Sequence, residues 1–178
     1  NKYLYKYKKS TILIFGLTSI VWSELIKKDD LNINLKNSIL VHGGGWKKIT
    51  EVNATKKNFK KLLNSKFKLN RSHDYYGMVE QTGSIFFECE YGLFHTSIFS
   101  DILIRDKNFK IKKNKQKGLL QTISILPSSY PGHSILTEDI GSIHGINNCK
   151  CGRGGKIFKV HGRLLKAETR GCGNVDDN

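Results

Sequence analysis

Tyr75-Tyr76-Gly77-Met78-Val79-Glu80-Gln81-Thr82-Gly83 closes one kind of sequence pattern and opens another. Before it, strand-like and helix-like runs alternate; after it, short strand-like runs follow one another with no helical run between them. The stretch puts an aromatic ring, a tight Gly turn, a carboxylate and a hydroxyl side by side. Those groups suit a nucleotide, because the ring can stack on a base and the carboxylate can hold a Mg²⁺ that bridges phosphate oxygens. A plain turn after a strand uses the same residues, so the neighbouring sequence decides between the two.

Upstream, Thr11-Ile12-Leu13-Ile14-Phe15-Gly16 is a short apolar run ending in Gly, the pattern of a buried strand. Thr18 to Lys28 reads as a helix capped by Thr18 or Ser19. Ser38 to His42 is a second buried strand, stopping at Gly43-Gly44-Gly45. Trp46 to Phe67 carries Ile49, Val52, Phe59, Leu62 and Leu63 among lysines, the pattern of an amphipathic helix with a solvated basic face. His73 to Tyr76 is the third strand candidate. Strand, helix, strand, helix, strand in this order predicts a parallel, doubly wound sheet whose Gly-marked strand ends face the ligand-binding edge. Downstream, Ser84 to Glu88, Ile102 to Arg105, Leu119 to Ile125, Ser134 to Leu136 and Lys156 to Val160 are strand-like, and Lys107 to Lys117 is a basic hairpin loop. The predicted fold class is therefore α/β: a parallel sheet with flanking helices, then a mainly antiparallel, β-barrel-like part. The expected division is residues 1–83 and 84–178, the second part ending in a tail.

With 178 residues, 38% hydrophobic and 25% charged, the chain has the composition of a globular protein. Its single Met is Met78 and its first residue is Asn1, so an upstream portion is expected to be missing. The formal charge of +15 is almost all Lys, spread over helix faces and loops, and Arg occurs only at Arg71, Arg105, Arg153, Arg163 and Arg170. Nucleic-acid readers interleave Arg and aromatics on one face, so the charge does not call for a nucleic-acid partner. Lys2, Lys6, Lys8 and Lys9 before Thr11–Trp22 imitate a secretory signal, but no small-residue cleavage site follows. That apolar run is far short of the ~20 residues of a membrane span. A cytoplasmic location is the expectation, in keeping with cysteines placed for metal or thiol chemistry rather than for disulfides.

The motifs follow a specific order. His42-Gly43-Gly44-Gly45-Trp46-Lys47-Lys48 precedes the Tyr76-Gly77-Met78-Val79-Glu80 turn. An acidic turn, Leu136-Thr137-Glu138-Asp139-Ile140-Gly141, and a basic segment, Gly162-Arg163-Leu164-Leu165-Lys166, come later. This order resembles the later half of the large domain of adenylate-forming enzymes, the acyl-CoA synthetase and luciferase superfamily. More narrowly, the runs 42–48, 75–90, 124–141, 149–163 and 166–172 resemble LuxE-type acyl-protein synthetases, which join a long-chain fatty acid to a protein thiol. The resemblance implies ATP and Mg²⁺ as cofactors, a fatty or other carboxylic acid as substrate, and an acyl-accepting or acyl-donating partner protein. It implies that Gly43, Gly44 and Gly45 lie close to adenine and that Tyr76, followed by Gly77, stacks on it. Glu80 would hold Mg²⁺, Asp139 the ribose hydroxyls, and Arg163 ribose or phosphate oxygens. Lys166 would mark the hinge to a further domain. Val79 departs from the superfamily, which has Thr there; Thr82 is the candidate substitute.

Cys149-x-Cys151, with Cys89 and His95 on an earlier hairpin, makes a Cys₃His set of the kind that binds structural zinc. His144 and His161 are alternative fourth ligands, and a tight turn beside a small core thiol is the alternative without metal. Zinc at three thiols leaves Cys172, beside Arg170, which by the same resemblance is the acyl-carrying nucleophile. His133 is either catalytic or a turn residue; Trp22 and Trp46 are core or rim aromatics. Three rival readings follow from the same residues: an acyl- or aryl-CoA ligase like the phenylacetate–CoA ligases, a non-catalytic nucleotide-binding fragment, and a basic nucleic-acid binder.

Overall fold

The computed structural model describes residues 6–7, 9–29, 31, 33–45 and 55–164. They fall into two compact units, Asn1–Asp74 and Tyr75–Asn178.

In the first unit, β1 (Leu13–Leu17) leads into α1 (Thr18–Val21), which widens into a π-helical segment, Trp22–Ile26. β2 (Ile39–Gly43), α2 (Lys56–Phe67) and the start of β3 (Arg71–Tyr76) follow. β1 pairs with β2 and β2 with β3, both parallel, as the alternation of strands and helices requires. α2 buries Phe59, Leu63 and Phe67, one residue per turn on a single face, against Leu40, Leu35, Leu69 and Trp22. Its first turn is capped by the Thr55 hydroxyl, which accepts from the Asn58 amide at 3.2 Å. Residues 46–54, where the predicted helix begins, lie outside the described residues. Two local expectations need correction. Thr18 does not cap α1; its hydroxyl donates to the Gly43 carbonyl at 2.9 Å and meets His42 Nδ1 at 2.9 Å, which is why it is buried. β1 is buried on one face only: Ile14 packs on the core, whereas Leu13 and Phe15 are exposed among the described residues.

The second unit begins with the end of β3, whose Tyr75 and Tyr76 pair with β4 (Phe86–Phe87) in the antiparallel sense. Its main sheet has the order β5-β9-β8-β7-β6, from β5 (Phe94–His95), β6 (Ser100–Arg105), β7 (Gly118–Ser124), β8 (Ser134–Ile146) and β9 (Lys156–Arg163). All its pairings are antiparallel. Phe86, Phe94, Phe158, Ile102, Ile104 and Leu120 form its core.

The expected fold class is overturned in two respects. Among the described residues no sheet closes into a barrel: β5 and β6 are the outer strands of an open sheet, each adding only a single bridge, Phe94 to Glu88 and Arg105 to Ile111, and β5, two residues long, offers too little ladder to complete a ring. β3 is not the member of a purely parallel sheet either, because β4 pairs with it in the opposite sense. The fold is α/β with mixed and antiparallel sheets and flanking helices. The predicted acidic turn is also a strand: Leu136 to Gly141 lies within the thirteen-residue β8.

Candidate functional site

Pairing of β8 with β9 sets Asp139 directly opposite Arg163. Opposite residues in an antiparallel pair share a face, so the carboxylate and the guanidinium meet. Arg163 Nε lies 3.6 Å from Asp139 Oδ1, and Nη1 lies 3.9 Å from Glu138 Oε2. A β-bulge between Ile140 and Gly141 inserts His161 into β9 just before this pair. Without that extra residue Arg163 would fall on the opposite face. The Thr137 hydroxyl accepts from the Asp139 amide at 3.1 Å and donates to the Leu120 carbonyl at 2.7 Å, which fixes the backbone beneath the carboxylate.

Tyr76 completes this group. Its ring packs against Phe86, Phe94 and Phe158 at centroid distances of 6.1 to 6.4 Å, and its hydroxyl donates to Asp139 Oδ2 at 2.8 Å. Burial, and then the Asp139 charge, push the phenol far above its ordinary pKa, so it remains a donor at all physiological pH. A carboxylate accepts about four hydrogen bonds; Tyr76 and Arg163 occupy one edge of each oxygen and leave acceptor capacity for vicinal hydroxyls.

Glu80 is exposed, on the 3₁₀ turn Val79–Gln81. The chain around it is held by Gln81, Tyr130 and Gly132, to which sequence reasoning gave no role. Gln81 is 1% exposed, and its Nε2 donates to the Gly132 carbonyl at 2.9 Å. The Thr82 amide donates to Tyr130 Oη at 2.8 Å. Gly132 sits so close that a Cβ there would lie 2.9 Å from the Glu80 carbonyl oxygen and 2.5 Å from the Tyr130 ring. The segment Tyr130-Pro131-Gly132 therefore clamps the turn that carries Glu80. The signal in the sequence was the Tyr-Pro-Gly turn itself, but its partner could not be read without the fold. The Thr82 hydroxyl donates to the Val79 carbonyl at 3.0 Å and accepts from Tyr130, so its own proton is committed locally.

Gly43 ends β2 in the first unit, and Gly44 and Gly45 follow it. Gly44 and Gly45 have φ of +85° and +70°, a left-handed conformation that favours glycine. In the second unit, Cys89, His95, Cys149 and Cys151 bring their ligand atoms within 4.8 Å of one another. His144 and His161 do not join them. Both place Nε2 on the Ser142 hydroxyl, at 3.0 and 2.8 Å, and burial lowers the pKa of each. His133 is exposed. Lys166, Cys172 and Trp46 lie outside the described residues. Among the described residues no helix is long and apolar enough to cross a membrane.

A model of the family described as "Acyl-protein synthetase, LuxE" matches residues 5–178, nearly the whole chain. The chain belongs to the LuxE family of acyl-protein synthetases. No curated protein sequence matches it. Solved structures similar to this LuxE-family chain include ATP-bound MatB from Rhodopseudomonas palustris, at 13% identity and a TM-score of 0.60 over 91% of this chain and 32% of that one. The luciferase-like enzyme of the nonluminescent mealworm Zophobas morio is similar at 18% identity and TM-score 0.60, over 92% and 41%. A long-chain-fatty-acid-CoA ligase from Archaeoglobus fulgidus is similar at 11% identity and TM-score 0.57, over 92% and 36%. At such identities the likeness is one of fold. The LuxE-family chain spans about a third to two fifths of the length of these solved relatives.

Proposed function

We propose that the chain supplies part of a site that activates a carboxylic acid with ATP as an acyl-adenylate. The observation that carries this reading is the convergence of Tyr76 from β3 and Arg163 from β9 on the Asp139 carboxylate of β8, which keeps acceptor capacity to spare. Asp139 would accept from the two ribose hydroxyls, with Tyr76 and Arg163 orienting it. Arg163 would also reach ribose or phosphate oxygens, and the Tyr76 ring, held by three phenylalanines, would present a face to adenine. Glu80 is an exposed carboxylate on a clamped turn, which fits an ion that keeps most of its water and takes one or two carboxylates plus phosphate. Mg²⁺ there would neutralise charge on the phosphate oxygens. The adenine-facing role of Gly43, Gly44 and Gly45, the role of Gly77 in shaping the turn, and the hinge role of Lys166 are separate proposals, each open to substitution.

In the proposed reaction the acid carboxylate attacks the α-phosphorus of ATP, forming the acyl–AMP anhydride and releasing pyrophosphate. A thiol then adds to the acyl carbon, AMP leaves, and the thiol proton passes to solvent. The carboxylate is a poor electrophile, whereas AMP is a competent leaving group, so the activation makes the thioester accessible.

Two thiol acceptors have support. The names of solved relatives, such as the long-chain-fatty-acid-CoA ligase of Archaeoglobus fulgidus, favour coenzyme A. The family model favours a protein thiol, for which Cys172 is the candidate carrier and a second protein the onward partner. The test is acid-dependent pyrophosphate exchange with a panel of fatty and aryl acids, followed by labelled acid with and without coenzyme A. Label released as acyl-CoA supports the ligase reading. Label held on protein, hydroxylamine-sensitive and lost in Cys172→Ser, supports the protein-thiol reading. Absence of exchange with every acid would remove the adenylation claim.

A further inference from the structure

We infer that Cys89, His95, Cys149 and Cys151 form a closed, four-coordinate zinc site that staples the edge strand β5 to the β8–β9 hairpin. The inference stands apart from the proposed reaction, since none of these residues belongs to the nucleotide-binding group.

Four observations carry it. Cys89 Sγ and Cys149 Sγ are 3.8 Å apart. Two sulfurs sharing a tetrahedral zinc at a Zn–S distance of about 2.3 Å lie about 3.8 Å apart, whereas a disulfide needs about 2.05 Å. Cys151 Sγ lies 3.4 Å from His95 Nε2, near the ~3.5 Å expected of a sulfur and an imidazole nitrogen on one zinc. The other ring nitrogen, Nδ1, lies 3.2 Å from the Gly154 carbonyl. A carbonyl only accepts, so Nδ1 carries the proton and Nε2 turns its lone pair toward the three sulfurs, the tautomer that a metal-ligating histidine needs. Finally, the Arg153 amide donates to Cys151 Sγ at 3.4 Å, the kind of contact that stabilises a thiolate.

Donor chemistry and space identify the ion. Three thiolates and one imidazole in a tetrahedral arrangement suit zinc, and a spread of 4.8 Å admits one ion rather than a cluster. Binding would release the three thiol protons and leave a site of net charge −1. With four protein ligands no position stays open for water, which makes the site structural.

The topology says what it holds. β5 is two residues long; among the described residues it pairs with β9 through Phe94↔Phe158 and His95↔Ile157, and on its other side Phe94 makes a single bridge to Glu88. So short a ladder is a weak fastening for an edge strand. His95 lies in that strand and Cys89 on the turn just before it, and Cys149 and Cys151 come from the β8–β9 turn. A shared ion converts the weak edge into a closed one.

The test uses the full chain produced with zinc available. About one zinc per chain by elemental analysis is expected for a single closed site. Its loss is expected in both His95→Ala and Cys151→Ala, and its retention in Cys172→Ser, a thiol outside the set. Cobalt in place of zinc should give tetrahedral bands with thiolate charge transfer. Chelation should speed amide exchange at 89–96 and 149–157 more than in β6 and β7. Because a variant could fail to fold, the wild-type chain is also measured by native mass spectrometry during titration with a thiol reagent, which should release zinc as thiols react. A folded wild-type chain without zinc, a mass two hydrogens lower that marks a disulfide, an octahedral cobalt spectrum, or zinc kept by both ligand variants would overturn the assignment. Exchange at 89–96 indifferent to chelation would overturn the stapling role.

Discussion

Tyr76→Phe separates the two things that Tyr76 does. It keeps the ring against Phe86, Phe94 and Phe158 and deletes only the hydroxyl that donates to Asp139 at 2.8 Å. A hydrogen bond to a charged group contributes about 1.5–3 kcal/mol. Asp139 keeps Arg163 at 3.6 Å after the change, so it is not stranded, and the expected loss is about 1.5–2 kcal/mol, the lower part of that range. At a urea m-value of about 2 kcal/mol/M this is a fall of about 0.8–1 M in midpoint with m unchanged. Trp22 lies in the first unit, so the transition is better followed by amide exchange of β8 and β9 or by circular dichroism than by tryptophan emission. Asp139→Asn closes a double-mutant cycle, and a coupling of about 1–2 kcal/mol is expected. A loss below about 0.5 kcal/mol, or a coupling near zero, would refute the claim that the phenol anchors the carboxylate.

Other expectations follow from single contacts. Thr55→Ala should cost about 0.5–2 kcal/mol through loss of the α2 cap, read as a lower unfolding midpoint, with Thr55→Ser restoring most of it. Gly132→Ala forces a Cβ to within 2.5 Å of the Tyr130 ring and should cost about 1–3 kcal/mol, accompanied by loss of protection at the Thr82 amide. His144 and His161 titrate below the ordinary histidine value because burial disfavours their charged forms, with nearby lysines adding to the effect. The unfolded chain then binds more protons, so this stability is present above the ordinary histidine value of about 6.5 and is lost as pH falls below it. NMR titration of the two imidazoles checks the direction, and His144→Gln with His161→Gln should flatten that part of the pH profile.

Much of this was legible in the residues, for reasons that differ by region. The parallel strands β1 and β2 follow from apolar runs separated by helical periodicity, and the polar β3 only from its place after the second helix. Cys89, His95, Cys149 and Cys151 could be grouped because sulfur and imidazole in those spacings have few other joint uses. Leu136 to Gly141 misled because acidic residues and a glycine mark turns locally. Here long-range pairing with β7 and β9 overrides that preference, and Glu138 and Asp139 meet Arg163 across the ladder. Barrel closure was illegible because it depends on whether the edge strands are long enough to meet, and β5 gives no run of alternating residues to measure. The Gln81–Gly132 and Thr82–Tyr130 bonds join residues about fifty apart with no pattern shared between them. Only the fold reveals them.

The central claim is that Asp139 and Glu80 serve an adenylating site. It is tested most directly by acid-dependent ATP–pyrophosphate exchange in the intact protein, comparing wild type with Asp139→Asn and Glu80→Gln at matched folded fraction. The expected result is exchange in the wild type that falls by at least about 100-fold in each variant, in line with loss of a charged group that positions or neutralises the reacting phosphates. Exchange in the variants equal to that of the wild type would contradict the account.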